Sequence, residues 1–360
     1  METVTYLLGA GASAGPANSK HGYTDISTVP IVSQLAGRML NQIDELESLL
    51  RSQENSVFEK TSITIKILLD SYTSKLAELV KTLERHASID TYARKLFLQT
   101  KYGEEVPELK NLKRIFSTFL TIEQVLRGVD IRYDSLFATI LKKQGEELES
   151  PNNFKFISWN YDYQFELAHY NYFVADERNF DKYILDNQLN SIKDPSKFFF
   201  IKLNGSALNI NRRINQHSAN LLLYNNQNIW NDQEVILSML LLDLEGSTNI
   251  FTTQSKLSFS WENQIDTIEA IKSLKMGLTD CKSLVVIGYS FPIFNNLTDV
   301  EVLAVLPNLK KVYLQVPDSS FKDIEHRFWR AASRVFAKER LEVINISNLD
   351  SFYIPNEIDM

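Results

Sequence analysis

Val4-Thr5-Tyr6-Leu7-Leu8-Gly9-Ala10-Gly11-Ala12-Ser13 is a mostly apolar run that breaks into alternating glycine and alanine and ends on a hydroxyl. A short run of this composition predicts a buried parallel strand, and the glycines predict a tight turn after it. Lacking a Cβ, Gly9 and Gly11 let backbone amides approach a pyrophosphate closely and let the turn use positive φ. Ser13 adds a hydroxyl donor beside them. The plainer reading is an ordinary strand-to-loop turn, so the phosphate reading needs support from the rest of the chain.

Outward from this turn, Ala14 to Thr28 is small and polar, with Gly15-Pro16, His21-Gly22 and Asp25, and reads as a long loop over the sheet edge. Pro30 opens a helix at Ile31 that runs through Leu35, Met39 and Leu46. From about Val57 to Lys143 the pattern is helical throughout, with Ile63, Ile67, Tyr72, Leu76, Leu79 and Leu83 at helical spacing. Ser88-Ile89-Asp90 caps a helix over Thr91 to Gln99, and Leu109 to Leu126 and Tyr133 to Leu141 are further helices. No Gly/Ser linker bounds this block, which reads as an insertion over about residues 55–145 that covers a pocket or mediates self-association.

Strand-forming runs then return at Phe154 to Ile157, Phe198 to Leu203, Leu284 to Ile287, Val312 to Val316 and Leu341 to Ile346. Helical stretches such as Trp261 to Met276 and Phe321 to Lys338 separate several of them, which predicts an α/β parallel sheet with strands buried on both faces. The Asn-rich segment Asn204 to Asn231 reads as loop. One domain over 1–350 followed by a C-terminal tail at 351–360 is the expected layout.

A formal net charge of −7 gives no general electrostatic case for nucleic acid or an anionic membrane. Cys281 is the lone cysteine, which excludes an intrachain disulfide and any four-cysteine zinc module, and fits a reducing compartment. Leu7-Leu8 run straight into glycines with no basic segment before them, and the apolar run Val235 to Leu242 is too short to span a bilayer. The expected location is the cytoplasm.

In open parallel sheets, ligands bind outside the carboxyl ends of the strands. Here those ends read Gly9-Ala-Gly-Ala-Ser13, Ser158-Trp-Asn160-Tyr-Asp162, Asn204-Gly205-Ser206, Gly288-Tyr-Ser290 and Pro317-Asp318-Ser319. Small, amide and hydroxyl residues converge on one rim. No second strand ending in an acid follows the first turn by about 20 residues, as an ordinary dehydrogenase would require.

The order Gly9-Ala-Gly-Ala-Ser13, Trp159-Asn160-Tyr161-Asp162, Lys202-Leu203-Asn204-Gly205-Ser206 and Ile287-Gly288-Tyr289-Ser290-Phe291 resembles the sirtuin superfamily. It is closer to the bacterial sirtuin-like NAD hydrolases of anti-phage defence than to the protein deacylases. The resemblance spans residues 1 to about 40 and about 150 to 350, and implies a Rossmann-like parallel sheet with the large helical insertion after its first strand. It further implies NAD or ADP-ribose as ligand, an oligomer, and a partner such as a DNA-translocase-type ATPase. The deacylases' zinc ribbon and their Gly-Ile-Pro-Asp-Phe-Arg run have no counterpart here, so no zinc is expected. The family's catalytic His, in a Lys-Leu-His-Gly-Ser setting, is Asn204 in this chain.

On this reading Gly9, Ala10, Gly11, Ala12 and Ser13 hold the pyrophosphate, Gly288, Tyr289 and Ser290 lie near the adenosine end, and Gly205 and Asp318 complete the binding set. Cleavage of the nicotinamide–ribose bond passes through an oxocarbenium-like state, so positioning a water supplies much of the catalysis. Asn160 is suited to orient that water or the ribose hydroxyls. Asp162 either stabilises the charge developing on the ribose or holds the Asn160 turn. Asn204 has no proton-accepting function and is suited to hold ribose hydroxyls; losing a general base typically costs about 10²–10⁴-fold. His21, His169 and His217 are the substitute bases to weigh, each against a structural role. Trp159 and Tyr161 divide between packing inward and walling a nicotinamide pocket. Cys281 and Phe198-Phe199-Phe200 read as core, and Lys142-Lys143 and Arg212-Arg213 as solvated. Two other functions remain open: a binding-only sensor or scaffold, and ADP-ribosyl transfer to a macromolecule.

Overall fold

A computed structural model describes residues 2–15, 29–30, 32–51, 64–99, 106–173, 183–184, 186–190, 192–207, 209–214, 217–220, 237, 240–241, 244, 251–254, 257–262 and 264–358. The expected loop at 14–28, including His21, lies almost wholly outside them.

The opening run forms β1 (Thr3–Leu8), whose residues after Thr3 are all buried, and Ala10–Ser13 closes into one 3-10 turn. Four helices follow: α1 (Leu35–Leu50), α2 (Ile65–Leu83), α3 (Ile89–Phe97) and α4 (Pro107–Arg127). Ser88 Oγ accepts from the Thr91 amide, so α3 starts at Ile89, two residues before its expected start. Next come α5 (Ile131–Ile140) and a short hairpin of β2 (Lys142–Gln144) and β3 (Glu147–Glu149), turned by Gly145 at φ +63°. Then follow β4 (Phe154–Ser158), α6 (Gln164–Tyr170) and β5 (Phe199–Lys202).

Beyond β5, β6 (Asn209–Ile214), β7 (His217–Asn220) and β8 (Phe251–Gln254) make a small antiparallel sheet. The loop expected over Asn204 to Asn231 is therefore wrong at two strands. Their central strand pairs with β8, far along the chain, a contact that local periodicity does not report. The chain closes with α7 (Gln264–Ser273), α8 (Lys275–Leu278), β9 (Cys281–Ile287), α9 (Asn296–Ala304), β10 (Lys311–Gln315), α10 (Asp318–Ala332) and β11 (Glu342–Ile346).

Six strands form one sheet in the order β11-β10-β9-β1-β4-β5, every pair parallel. Read from β5 and numbered by position in the chain, that order is 3-2-1-4-5-6. This is a Rossmann-like α/β sheet, and its strand order reverses between β1 and β9. Both faces are covered. Leu7, Ile157, Leu284 and Val286 pack with α7 to α10, and Val4, Tyr6, Leu8, Phe154 and Phe156 pack with α5 and α6. The alternation along β1 is the period-2 rule at work. The two edge strands are less buried: β11 starts on exposed Glu342, and β5 is fully buried only at Phe199 and Phe200.

Helices α1 to α4 build a core of their own around Met39, Leu46, Tyr72, Leu76, Leu109 and Phe119, which also takes in Ala207, Leu257 and Phe259. Residues 351–358, expected as a tail, lie on the sheet instead: Phe352 and Ile358 are buried, and Tyr6 Oη donates to the Tyr353 carbonyl. No helix among the described residues is long and apolar enough to cross a membrane.

Candidate functional site

The first glycine turn and the Gly288 turn meet where β1 and β9 end. A Cβ on Gly9 would stand 2.6 Å from Tyr289 Cα, one on Gly11 2.7 Å from Gly288 Cα, and one on Gly288 2.3 Å from the Gly11 carbonyl carbon. Gly288 alone of the three has positive φ, at +61°. The glycines thus serve first to let two backbones touch. Gly11 N donates to the Gly288 carbonyl at 3.0 Å, Gly9 N to the Ile287 carbonyl at 3.0 Å, and Ala12 N to the Gly9 carbonyl at 2.8 Å. Those three amides are spent inside the protein, which corrects the expected cradle of free amides running along Gly9 to Ser13.

A cavity opens over this junction. It is lined by Gly9, Ala10, Gly288, Tyr289 and Ser290 of the two turns, and by Trp159, Asn160, Tyr161, Asp162 and Asn204. Further lining comes from outside the parallel sheet: Leu35 of α1, Ile89 and Asp90 of α3, Phe116 and Leu120 of α4. The structure therefore gathers Asn160, Asp162 and Asn204 in one place with Gly9, Ala10 and the Gly288 turn. Gly11, Ala12, Ser13, Gly205 and Asp318 are outside the lining. Asp318 opens α10 and accepts from Asn345 Nδ2 at 2.5 Å.

Ser13, fully buried, acts from behind. Its Oγ accepts from Asn160 Nδ2 at 3.1 Å and hydrogen-bonds with Tyr133 Oη at 3.1 Å. This contact orients the Asn160 amide, with its nitrogen on Ser13, while the Asn160 backbone nitrogen donates to Ser158 Oγ at 3.0 Å. Asp162 Oδ1 accepts from the Gln164 amide at 3.1 Å, holding the start of α6. Burial pushes the Asp162 carboxyl up to about 6, against the pull of nearby Lys202. Lys202 is itself buried, 2.6 Å from Glu166 Oε1. Both roles left open for Asp162 are thus compatible with its position: it holds a turn and it faces the cavity.

Asn204 Nδ2 donates to Tyr161 Oη at 3.4 Å, and its Oδ1 is buried with no hydrogen-bond partner among the described residues. A buried carbonyl oxygen left unpaired at a cavity wall is an acceptor waiting for a donor. Trp159 stacks on Tyr289 with ring centroids 5.7 Å apart and Tyr161 packs edge-on to Phe116, so both aromatic neighbours of Asn160 wall the cavity. His169 is no substitute base: it is fully buried on α6 between Ser150 Oγ and Tyr183 Oη, and burial lowers it to about 3. The side chain of His217 lies outside the described residues. Cys281 is a core thiol that accepts from Thr5 Oγ1, raised to about 11 by burial.

Asp90, like its neighbour Ile89, is a lining residue that sequence reasoning placed elsewhere, as part of a helix cap. It does stand in the first turn of α3, but it also faces the cavity, and burial pushes its carboxyl up to about 6. The signal available was an acid placed between apolar Ile89 and the core of a helix expected to cover a pocket.

No family model matches this chain, and no curated protein matches it.

Proposed function

We propose that this chain binds NAD at the point where the sheet's strand order reverses and cleaves its nicotinamide–ribose bond. The observation that carries this is the convergence of Asn160, Asp162 and orphaned Asn204 Oδ1 over two glycine turns at the sheet's switch point. In hydrolysis, a water oxygen bonds to the ribose C1′ as the C1′–N bond breaks. Nicotinamide leaves neutral with that electron pair, and the water gives up a proton. Asn160 Oδ1 is the atom suited to align the water or a ribose hydroxyl, since its nitrogen is committed to Ser13. Asn204 Oδ1 accepts from a ribose hydroxyl. The released proton goes to Asp162, a carboxylate above about pH 6 and a far better acceptor than Asn204.

The resemblance of the four strand-end motifs to sirtuin-like NAD hydrolases points the same way. On that resemblance alone we extend the proposal to a defence effector that forms oligomers and works with an ATPase partner. A second reading, a sensor that binds NAD or ADP-ribose without turnover, is favoured by one observation: Asn204 stands where the family's base would be, and His169 is locked in the core. Nicotinamide release from the purified chain, alone and with the products of neighbouring genes, separates the two. Release above the buffer rate supports the hydrolase; binding without release under every condition supports the sensor.

A further inference from the structure

The cavity is lined by small residues of the glycine turns, Gly9, Ala10, Gly288 and Ser290. It is also lined by Asp90 and Asp162, by Asn204 with its partnerless Oδ1, and by the rings of Trp159 and Tyr161. Among the described residues, none of those lining the cavity is a lysine, arginine or histidine. Burial raises the Tyr161 and Tyr289 hydroxyls, and the charge of Asp90 adds to the rise in both. Asp162 has the Lys202 ammonium behind it, whereas burial and its own backbone amide are what act on the Asp90 carboxyl.

An acidic, aromatic chamber of this kind disfavours phosphate and favours a flat cation, which gains from the carboxylate and from the ring faces together. We propose that Asp90 makes this cavity selective for the oxidised, cationic nicotinamide ring over the neutral reduced ring. This rests on the nucleotide-binding reading above. The cationic ring is the part of the dinucleotide that this lining attracts. The selecting group is carried by α3, so the choice of redox form is made by the helical wall and not by the parallel sheet. A purely structural Asp90, favourable in the first turn of α3, would affect melting temperature and every ligand alike.

The test is calorimetric binding at pH 8 of three probes: a carbocyclic NAD⁺ analogue that cannot be cleaved, NADH, and ADP-ribose. The wild type is expected to bind the cationic analogue at least about tenfold tighter than NADH. Asp90→Asn should erase most of that ratio by weakening the analogue alone, and Asp90→Glu should keep it. Equal wild-type affinity for the analogue and NADH overturns the inference and leaves nucleotide binding intact. So does an Asp90→Asn variant that weakens all three probes equally. Failure of the wild type to bind any of the three overturns the nucleotide-binding reading itself and the inference with it. An Asp90→Asn variant that keeps the wild-type ratio also overturns it, since Asp162 would then be the selecting carboxyl; where Asp90→Asn does not fold, Asp90→Ser must lose the ratio.

Discussion

The two sides of the first glycine turn are built on opposite principles. Behind it, polar groups are paired with one another: Arg132 Nη2 donates to the Gly11 and Ala12 carbonyls at 3.1 Å each and lies 2.7 Å from Asp130 Oδ2, which also accepts from Gly15 N at 2.9 Å. The Arg132 guanidinium lies 5.2 Å from the centre of the Phe352 ring. In front, at the cavity, Asn204 Oδ1 and Trp159 Nε1 are buried without partners among the described residues, and two carboxyls are held near 6. A paired network rigidifies a turn, while unpaired polar atoms cost stability unless something outside the protein completes them. The difference separates groups that position the site from groups that meet a ligand.

Substitutions on the supporting side should damage the fold most. Arg132→Met leaves the Asp130 carboxyl buried without its counter-ion, held only by the Gly15 and Arg132 amides, and should cost about 3–5 kcal/mol in denaturant unfolding. A loss under about 1 kcal/mol would mean the support is dispensable. Gly288→Ala forces a Cβ against the Gly11 backbone at a positive φ and should cost about 3 kcal/mol. The same argument applies to Gly11, where a side chain would strike Gly288 before it met any phosphate, so lost ligand binding in Gly11→Val reports on the turn and not on phosphate contact.

On the cavity side the sign reverses. The Asp162 carboxyl is raised from an ordinary 3.8 to about 6, so the folded protein holds that proton more tightly than the unfolded chain. Its contribution to stability is fully present below about pH 4 and is lost as pH rises through 6. Asp162→Asn imitates the protonated form and should therefore be stabilising at pH 8, by about 3 kcal/mol, with no gain at pH 4. Paired melts at the two pH values check this; a loss at pH 8 would show that the Lys202 charge governs the site. The smallest effect on folding is expected from Asn204→Ala. It removes an oxygen with no partner and one long hydrogen bond, from Nδ2 to Tyr161 Oη at 3.4 Å, and should change stability by less than about 1 kcal/mol while lowering nicotinamide release.

What could be read in the sequence follows the range of the interactions involved. The parallel strands and the first glycine turn were legible because burial on both faces writes a continuous apolar run, and the turn sits directly behind one. Asn160, Asp162 and Asn204 were legible because topology sends every strand end to one rim. Asp90 was not, because its meeting with the sheet depends on how α3 packs, and locally it is simply a first-turn acid. The pairing of β6 with β8 and the docking of Phe352 onto the sheet were hidden for the same reason. The role of the glycines was half legible: their need was visible, but the backbone they approach is Gly288, far along the chain.

The most direct test is the split between binding and turnover in Asn160→Ala, with saturating NAD and folding checked by melting temperature. Nicotinamide release should fall by about 10²-fold or more, while the Kd for ADP-ribose changes by less than about threefold, since an alignment role is felt chiefly in the transition state. Turnover that is unchanged, or that falls only as far as affinity does, would contradict a cleavage site at this junction.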